Sequence, residues 1–393
     1  MNLKRFLSLT KHALLATAVF VTLGISSCDN DDDGPTTFNG TVLELMADVQ
    51  FKQSATVSAD VALDSALKYF NLYPDLVTLL TATPNVTVFA PSNTAFVNLL
   101  ATPGFPTKIS LINPDIIKGV LAYHIVSEKK IKADLTSGAT LTSNYTDPTA
   151  GVQTITVNAN GTLKTGSTNQ DIDIVDADNL ATNGAVHVVE SVMIPPSVGA
   201  TLTPILGTTA GTILLGKDFS YLAYMIGYAD AGVATASKVS SILANPINPN
   251  TNPNGFTVFA PLNAVFIAAY NAANSQPANN VPTKEQVQGF ITTAWTGGGA
   301  GTAAVTLKNH IVMGKYVVTA AAGSTTLTNG LTMSSLASVT LTTVVGTPSA
   351  PSNPYGVVMT SPSTPTSQAP IVSKDLAHSN GIVQVIAGIL KPQ

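Results

Sequence analysis

The chain has 393 residues, a formal net charge of −4 and only 10% charged residues, against roughly 25% in an average soluble protein. That length predicts about two domains, each large enough to bury a normal hydrophobic core. Past the first dozen residues there is no extended cluster of Lys and Arg, which excludes the basic stripe that nucleic-acid binding requires. Thr, Ser, Asn, Ala and Gly replace charges on the surface, a composition that favours an extracellular setting.

Residues 1–27 are predicted to be a lipoprotein signal peptide. Lys4 and Arg5 precede an apolar stretch over residues 13–25, which is too short to span a bilayer. The stretch ends in Ile-Ser-Ser-Cys, which resembles a bacterial lipobox, so Cys28 is predicted to carry the lipid that anchors the chain to a membrane. An ordinary signal peptide with a leftover cysteine is the alternative.

Residues 28–39 are predicted to be an acidic, disordered tether, since four aspartates lie between residues 29 and 33. The run resembles the acidic export signal of surface lipoproteins in the Bacteroidetes, which predicts an outer-membrane lipoprotein facing the cell exterior. A plain spacer, or inner-membrane retention directed by Asp29, is the alternative. Without residues 1–27 the chain has 15 basic and 22 acidic residues, a formal charge of −7.

Three motifs then occur twice in the same order. The pairs are TVFAPSNTAF at 87–96 with TVFAPLNAVF at 257–266, LAYHIVSEKKI at 121–131 with LKNHIVMGKYV at 307–317, and NGAVHVVESVMIPP at 183–196 with NGIVQVIAGILKP at 380–392. The offset between copies grows from 170 to 186 to 197 residues, so the second copy carries insertions in its connecting segments. The repeat predicts one domain over residues 40–198 and a second, with loop insertions, over residues 199–393.

Each copy predicts helices first and strands later, an α+β arrangement. Helical spacing occurs at Leu63, Leu67, Phe70 and Leu76 and again at Phe219, Leu222, Met225 and Ile226. Asn-Gly pairs at 160–161 and 329–330 predict hairpins. The third motif predicts a Val- and Ile-rich strand that is covered on both faces.

In the first motif, a short apolar run is stopped by Pro91, and a helix is predicted to follow. Asn93 and its counterpart Asn263 are the residues that could cap that helix in both copies. Ser92 is an alternative cap in the first copy only, because Leu262 replaces it in the second.

The three motifs resemble the signature boxes and the intervening Tyr-His motif of the fasciclin (FAS1) domain, over almost all of residues 40–393. The resemblance implies two tandem domains, each a β-wedge or sandwich flanked by helices, and adhesion through protein or glycan contacts without catalysis. It implies a binding role for Tyr123 and His124. The second copy has His310 but departs from the pattern at Asn309, where Tyr is expected, and at Gln384, where the first copy has His187.

No metal, cofactor or catalytic centre is predicted. The histidines lack the close spacing of a zinc site, and no nucleophile motif occurs. His124 and His187 could still meet within one domain, although a histidine among Val and Ile is more often an interior residue bonded to backbone. The loosely alternating aspartates between residues 171 and 178 fit a solvated strand edge better than a calcium loop. The Gly-rich stretch at 297–301 lacks the context of a phosphate loop.

The insertions distinguish the second copy. Residues 271–301 and 347–370 are rich in Asn, Pro, Ser, Thr and Gly and contain or adjoin Tyr270, Trp295 and Tyr355. Aromatic rings among hydroxyl and amide groups are suited to stacking on sugars, which makes Trp295 a candidate glycan contact. Burial of Trp295 as a core anchor of the insertion is the alternative.

The sequence therefore predicts a non-enzymatic surface lipoprotein that binds an extracellular protein or glycan. The binding candidates are Tyr123, His124, His187, Trp295 and His310. A protein that captures a nutrient or polysaccharide beside an outer-membrane transporter is the alternative function. A hydrolase that uses His124 or His187 is a third.

Overall fold

The computed structural model describes residues 37–54, 56–165, 171–247, 252–295, 300–328, 331–345, 355–360 and 365–390. Side chains at 295, 300, 344, 345, 355–360 and 365–368 lie outside this description. So do the predicted signal peptide, Cys28, most of the tether and the predicted turn at 329–330. Residues 37–195 are called the first repeat below, and residues 196–390 the second repeat.

Helices come mainly first in the first repeat, and strands follow. Its described helices are α1 (Val42–Met46), α2 (Asp64–Phe70), α3 (Pro74–Ala82), α4 (Asn93–Leu100) and α5 (Pro114–Tyr123). Its described strands are β1 (Val86–Pro91), β2 (Ile125–Val126), β3 (Thr140–Asp147), β4 (Gly151–Val157), β5 (Leu163–Lys164), β6 (Asp171–Ile172), β7 (Ile174–Ala181) and β8 (Gly184–Val189).

The second repeat has the same order of elements. Its described helices are α6 (Pro196–Leu202), α7 (Thr209–Leu215), α8 (Ser220–Asp230), α9 (Val239–Ala244), α10 (Asn263–Ala273), α11 (Lys284–Phe290), a π-helical turn (Ile291–Trp295) and α12 (Ala300–Lys308). Its described strands are β9 (Phe256–Pro261), β10 (Ile311–Met313), β11 (Tyr316–Val317), β12 (Thr325–Thr326), β13 (Thr332–Ser334), β14 (Thr340–Val345), β15 (Tyr355–Thr360), β16 (Pro365–His378) and β17 (Gly381–Ile386). The predicted α+β class is confirmed.

Each sheet is built around the strand of the first motif. In the first repeat, β1 pairs in parallel with β8 and antiparallel with β2, and the strand order is β6-β5-β4-β3-β2-β1-β8-β7. In the second, β9 pairs in parallel with β17 and antiparallel with β10, in the order β10-β9-β17-β16-β15-β14-β13. Every residue of β1, β8, β9 and β17 is buried, which confirms strands that are covered on both faces.

The Asn-Gly pair that opens the third motif links the sheet to helix α3 through hydrogen bonds. Asn183 lies in the tight connection from β7 to β8, and its side-chain amide donates to the carbonyls of Leu80 (2.9 Å) and Thr83 (3.1 Å). Gly184 lies so close to the carbonyl of Val86 that a Cβ atom would overlap it. Only glycine therefore permits the parallel pairing of β1 with β8.

The predicted cap of the helix after the first motif is wrong. Helix α4 begins at Asn93 and is capped by Ser92, whose hydroxyl accepts the Ala95 N–H at 3.1 Å. The Asn93 side chain instead accepts the N–H of Ser65 (2.8 Å), in the first turn of α2. Leu63 precedes that helix and has no capping group, so Asn93 satisfies one of the free N–H groups from 28 residues away.

Asn263 has the same role in the second repeat. Its side-chain oxygen accepts the N–H of Tyr221 (3.0 Å) in the first turn of α8. Phe219 precedes that helix and makes no side-chain cap. Both asparagines thus cap a helix that lies earlier in the chain, whereas Leu262 leaves α10 without a side-chain cap.

The insertions of the second repeat are partly regular structure and not the loops that their composition predicts. Helix α11 and the π-helical turn lie inside the first insertion, and α11 begins with a capping box between Thr283 and Gln286. Strand β15 and the start of β16 lie inside the second insertion and pair with each other. Pairing satisfies backbone groups that a long loop would leave to water.

The two repeats meet through backbone contacts around α5 and α7. The N–H of Asn113 donates to the carbonyl of Leu215 at 2.6 Å, and the N–H of Gly207 donates to that of Gly104 at 3.3 Å. Gly104 has φ of +79°, and a Cβ atom there would overlap the backbone of Gly207. An ion pair between Lys284 and Asp115 (2.5 Å) adds a link at the surface.

Candidate functional site

The Tyr-His motif of the first repeat lies in the protein interior, at the carboxyl end of α5. The His124 side chain is completely buried. Its Nδ1 lies 2.7 Å from the carbonyl of Val120, and its Nε2 accepts the N–H of Met193 at 2.9 Å. A carbonyl can only accept, so Nδ1 carries the proton and the ring is neutral. Burial lowers the pKa of His124 from 6.5 to about 4, although the bond to Val120 opposes this shift.

His310 makes the same two contacts in the second repeat. Its Nδ1 lies 2.9 Å from the carbonyl of Thr306, and its Nε2 accepts the N–H of Leu390 at 2.9 Å. Burial lowers the pKa of His310 from 6.5 to about 4. In each repeat this ring joins the end of a helix to the last part of the third motif, beyond its strand. We call the pair His124 and His310 the histidine struts.

The residue before each strut differs between the repeats. Tyr123 is fully buried among the side chains beneath β3 and β4, and its hydroxyl donates to the carbonyl of Thr154 at 2.7 Å. Burial raises its pKa. Asn309 has the corresponding place and is also fully buried. Neither polar atom of its side chain has a hydrogen-bond partner within the described part of the chain.

The third motif contains a second buried histidine, and the second repeat replaces it with glutamine. His187 Nε2 lies 2.8 Å from the carbonyl of Lys130, and its Nδ1 accepts the N–H of Asp178 at 3.2 Å. Its ring stacks on Phe89 with centroids 5.5 Å apart. Burial lowers the pKa of His187, and the bond to Lys130 opposes the shift. The ring is therefore neutral, with the proton on Nε2.

Gln384 reproduces both backbone bonds of His187. Its Nε2 donates to the carbonyl of Tyr316 at 2.9 Å, and its Oε1 accepts the N–H of Asp375 at 3.0 Å. Tyr316 follows Lys130 by 186 residues, which is the offset of the second motif pair. Asp375 follows Asp178 by 197 residues, which is the offset of the third motif pair. A carboxamide has a donor nitrogen and an acceptor oxygen, which can replace the donor and acceptor nitrogens of a neutral imidazole. Its second N–H donates to the Asp375 carboxylate at 2.7 Å. The apparent loss of a histidine therefore preserves a structural contact.

The aspartate bonded by each of these residues closes a bulge in the strand before the third motif. Asp178 and Asp375 have φ of +62° and +56°, and strand pairing shifts register at or next to both positions. The Asp178 carboxylate accepts the N–H of Lys132 at 2.6 Å, and the Asp375 carboxylate accepts that of Val318 at 2.7 Å. We call each set a bulge clamp.

The aspartates considered as a calcium loop do not assemble one. Asp171 and Asp173 are exposed, and Asp178 is bonded to backbone in the bulge clamp. Among the described residues, no group of three or more His, Cys, Asp or Glu side chains is placed to hold a metal ion. His124 and His187 bond to different backbone segments and not to each other.

Two further candidates lie outside the described side chains. Trp295 ends the π-helical turn, but its side chain is not described. Cys28 lies among residues 1–36, which are not described at all. The described helices include none with the length and apolar content that crossing a membrane requires.

A groove at the meeting point of the repeats is a feature that the sequence analysis missed. Its volume is about 580 Å³, within the roughly 300–1,000 Å³ of small-molecule sites. Its walls come from α2, the end of α4, the start of α5 and the chain after α7; they consist of Lys68, Tyr69, Leu72, Tyr73, Leu100, Thr107, Lys108, Ile109, Ser110, Ile112, Pro114, Ile117 and Lys217. We call it the junction groove. No local pattern marks these residues, because they come from separate segments.

Comparison with known proteins finds a family match within the first repeat. Residues 62–195 match the family model described as the fasciclin domain. Protein sll1483 of Synechocystis sp. is 28% identical over 168 residues, which cover 38% of this chain and 86% of that protein. Among solved structures, a FAS1 domain pair from the insect cell adhesion molecule fasciclin I is 15% identical and covers 84% of this chain and 98% of that chain, with a TM-score of 0.28. At that TM-score the likeness bears on neither fold nor function.

The family match confirms the resemblance for the segment that contains the first histidine strut and the first bulge clamp. Fasciclin domains are generally adhesion or binding modules and are typically without enzymatic activity. The matched range ends at Pro195, one residue before the end of the third motif. The second repeat has the corresponding strands, strut and clamp, as the contacts above show.

Proposed function

We propose that the chain is a non-enzymatic lipoprotein of the outer membrane, anchored through Cys28 and facing the cell exterior, that binds an extracellular protein or glycan. The fasciclin match supports a binding role, and the signal and acidic run at residues 1–39 support the location. Two repeats on one tether raise the apparent affinity for a multivalent surface through effective concentration.

The observation that carries this proposal is that the motif side chains are used for contacts inside the protein. Each buried histidine bonds to backbone groups on both sides of its ring. A general base must be within reach of the proton that it abstracts from a substrate. These rings are enclosed and already fully bonded, so the geometry supports a scaffold whose surface binds, in preference to a hydrolase.

Protease shaving of intact cells tests the location. An exposed lipoprotein is released or degraded while the cells remain intact, and Cys28→Ala leaves it unanchored. Protection of the wild-type chain in whole cells, with digestion only after lysis, would overturn the surface assignment. A periplasmic protein of known location provides the control for cell integrity.

Binding is tested with the purified chain from residue 29 onward. The adhesion of cells that lack the protein is compared with that of wild-type cells. Saturable binding to matrix proteins or to a glycan array, retained after His187→Gln, is the expected result. Trp295→Ala then distinguishes the insertion from other surfaces. If the folded protein binds none of these materials, the adhesion proposal fails.

The second candidate function, capture of a nutrient beside an outer-membrane transporter, is favoured by one observation. The junction groove has the volume of a small-molecule site, whereas a surface that only adheres to macromolecules needs no such concavity. A growth defect confined to one nutrient after deletion, together with copurification of a transporter, would support capture over adhesion.

A further inference from the structure

The junction groove carries three positive charges on separate elements. Lys68 lies on α2, Lys108 precedes a short 3₁₀ turn, and Lys217 follows α7; all three side chains are exposed. None of them forms a salt bridge with a carboxylate of the described residues, in contrast to Lys118, Lys130 and Lys284. The Lys68 ammonium lies 5.6 Å from the centroid of the Tyr69 ring, a contact that leaves its charge uncompensated. Three ammonium groups without a carboxylate partner around one concavity favour an anion.

The floor of the groove is apolar. Ile109, Ile112 and Ile117 line it, and Leu72 is 59% exposed at its edge. The same three isoleucines also line a smaller cavity of about 40 Å³, whose walls carry no exposed polar surface. The small cavity is therefore adjacent to the groove and extends its apolar floor toward the core between the repeats.

No carboxylate or carboxamide side chain lines the groove. Asp115, next to Pro114 of the wall, is occupied by its ion pair with Lys284. The hydroxyl side chains in the wall are Tyr69, Tyr73, Thr107 and Ser110, and the Tyr73 hydroxyl is already bonded to the Pro114 carbonyl. A sugar would need more acceptors along its length, and a small inorganic anion has no use for an isoleucine floor. A neutral hydrocarbon has no use for three lysines. The combination fits a ligand with an anionic head and an apolar chain.

We propose that the junction groove binds a long-chain carboxylate, with its head among Lys68, Lys108 and Lys217 and its chain along the three isoleucines. Both repeats contribute to this site, because Lys217 belongs to the second and the other two lysines to the first. The site goes beyond the proposed adhesive function and does not depend on it.

The test uses the whole chain from residue 29 onward and tetradecanoate, titrated below its micelle concentration at pH 8 by calorimetry. Shortening the ligand to dodecanoate removes two methylene groups and is expected to weaken binding roughly tenfold. Tetradecanol, which lacks the charge, is expected to bind at least about tenfold more weakly than tetradecanoate.

Matched variants locate the site. The triple variant Lys68→Gln, Lys108→Gln, Lys217→Gln is expected to weaken tetradecanoate binding at least about tenfold. The control Lys52→Gln, Lys164→Gln, Lys374→Gln removes the same charge from exposed positions outside the groove and is expected to leave binding unchanged. Leu72→Glu is expected to weaken binding, whereas Val281→Glu, at a position that is 86% exposed, is not.

Three results would overturn the inference: no saturable binding of tetradecanoate, equal affinity for tetradecanoate and tetradecanol, or equal weakening in the two triple variants. All substitutions are at exposed positions, and circular dichroism of each variant verifies the fold. Adhesion that persists while tetradecanoate fails to bind would reject this site and leave the proposed function intact.

Discussion

The two repeats use different residues to make the same contacts, and the comparison separates scaffold from variable surface. The histidine struts are identical in chemistry and geometry. The bulge clamps keep their hydrogen bonds although imidazole is exchanged for carboxamide. At Tyr123 and Asn309, by contrast, the second repeat loses both an aromatic ring and a hydrogen bond.

The difference shows that residue identity alone is a poor guide to role in this chain. The Tyr-His pair and His187 carry titratable groups and are the natural candidates for binding. In the structure their polar atoms are occupied by backbone partners, and replacement is tolerated where the donor and acceptor pattern survives. Breaking or exchanging individual contacts tests this comparison.

Removal of a strut should have the largest effect. His124→Leu leaves the Met193 N–H and the Val120 carbonyl buried without this partner. Each such group costs about 1–3 kcal/mol, so with two of them the free energy of unfolding should fall by about 4 kcal/mol. Urea denaturation measures it. His378→Leu is the control, since that ring is only half-buried and has one described bond, to Thr212. Equal losses in the two variants would contradict a special role for the strut.

Acidification should destabilise the chain through both struts. Burial lowers the pKa of each histidine from 6.5 to about 4, so between these values the unfolded chain binds protons that the folded chain does not. The stability that comes from keeping both rings neutral is fully present above pH 6.5, and it is lost as the pH falls to about 4. Each strut contributes at most about 3 kcal/mol over that range.

Unfolding free energies at pH 7.5, 6, 5 and 4.5 provide the measurement. His124→Leu and His310→Leu should each flatten the slope, since each removes one of the groups that cause it. His187 and His378, whose pKa values burial also lowers, keep the slope from vanishing. A slope that neither substitution changes would show that other groups control acid stability. Salt concentration is held constant, because surface ion pairs also change with pH.

The Tyr123 and Asn309 positions predict opposite responses. Tyr123→Asn should cost about 3 kcal/mol, because it removes a buried ring and leaves the Thr154 carbonyl without its partner. Asn309→Leu should be neutral or stabilising by up to about 1 kcal/mol, because it removes two unsatisfied buried polar atoms. Thermal unfolding of both variants tests the pair. A large loss in Asn309→Leu would mean that the Asn309 amide has a partner such as water.

The sequence is sufficient for the repeats, the fold class, the buried strands and the hairpin at residues 160–161, because each depends on local pattern. The long-range contacts cannot be predicted from local sequence patterns. Asn93 caps a helix 28 residues earlier, whereas capping is expected within the helix's own first turn. Asp375 lies in Ser-Lys-Asp where the first repeat has Asp-Ala-Asp. The sequence offset aligns it with Asp178, but their shared role in the bulge clamp emerges only from the φ angles and the bonding.

The candidate site shows the same limit. The apolar neighbours of His124 and His187 favour an interior role bonded to backbone, and the structure has them so. Their particular backbone partners, and the burial of Tyr123, are not predictable, because both depend on the packing of both faces of the sheet. The residues of the junction groove come from α2, α5 and the chain after α7. Because these residues are far apart in the sequence, no local pattern predicts that they line one groove.

The most direct test of the scaffold interpretation exchanges the two clamp residues. His187→Gln and Gln384→His in one chain should each preserve both backbone bonds, although Gln384→His loses the bond to the Asp375 carboxylate. The free energy of unfolding should therefore fall by about 1 kcal/mol or less, and surface binding should be unaltered. His187→Leu, which removes both bonds, should cost about 2–4 kcal/mol. If the exchange abolishes binding while the fold and stability are retained, His187 is a binding residue and the scaffold account is wrong.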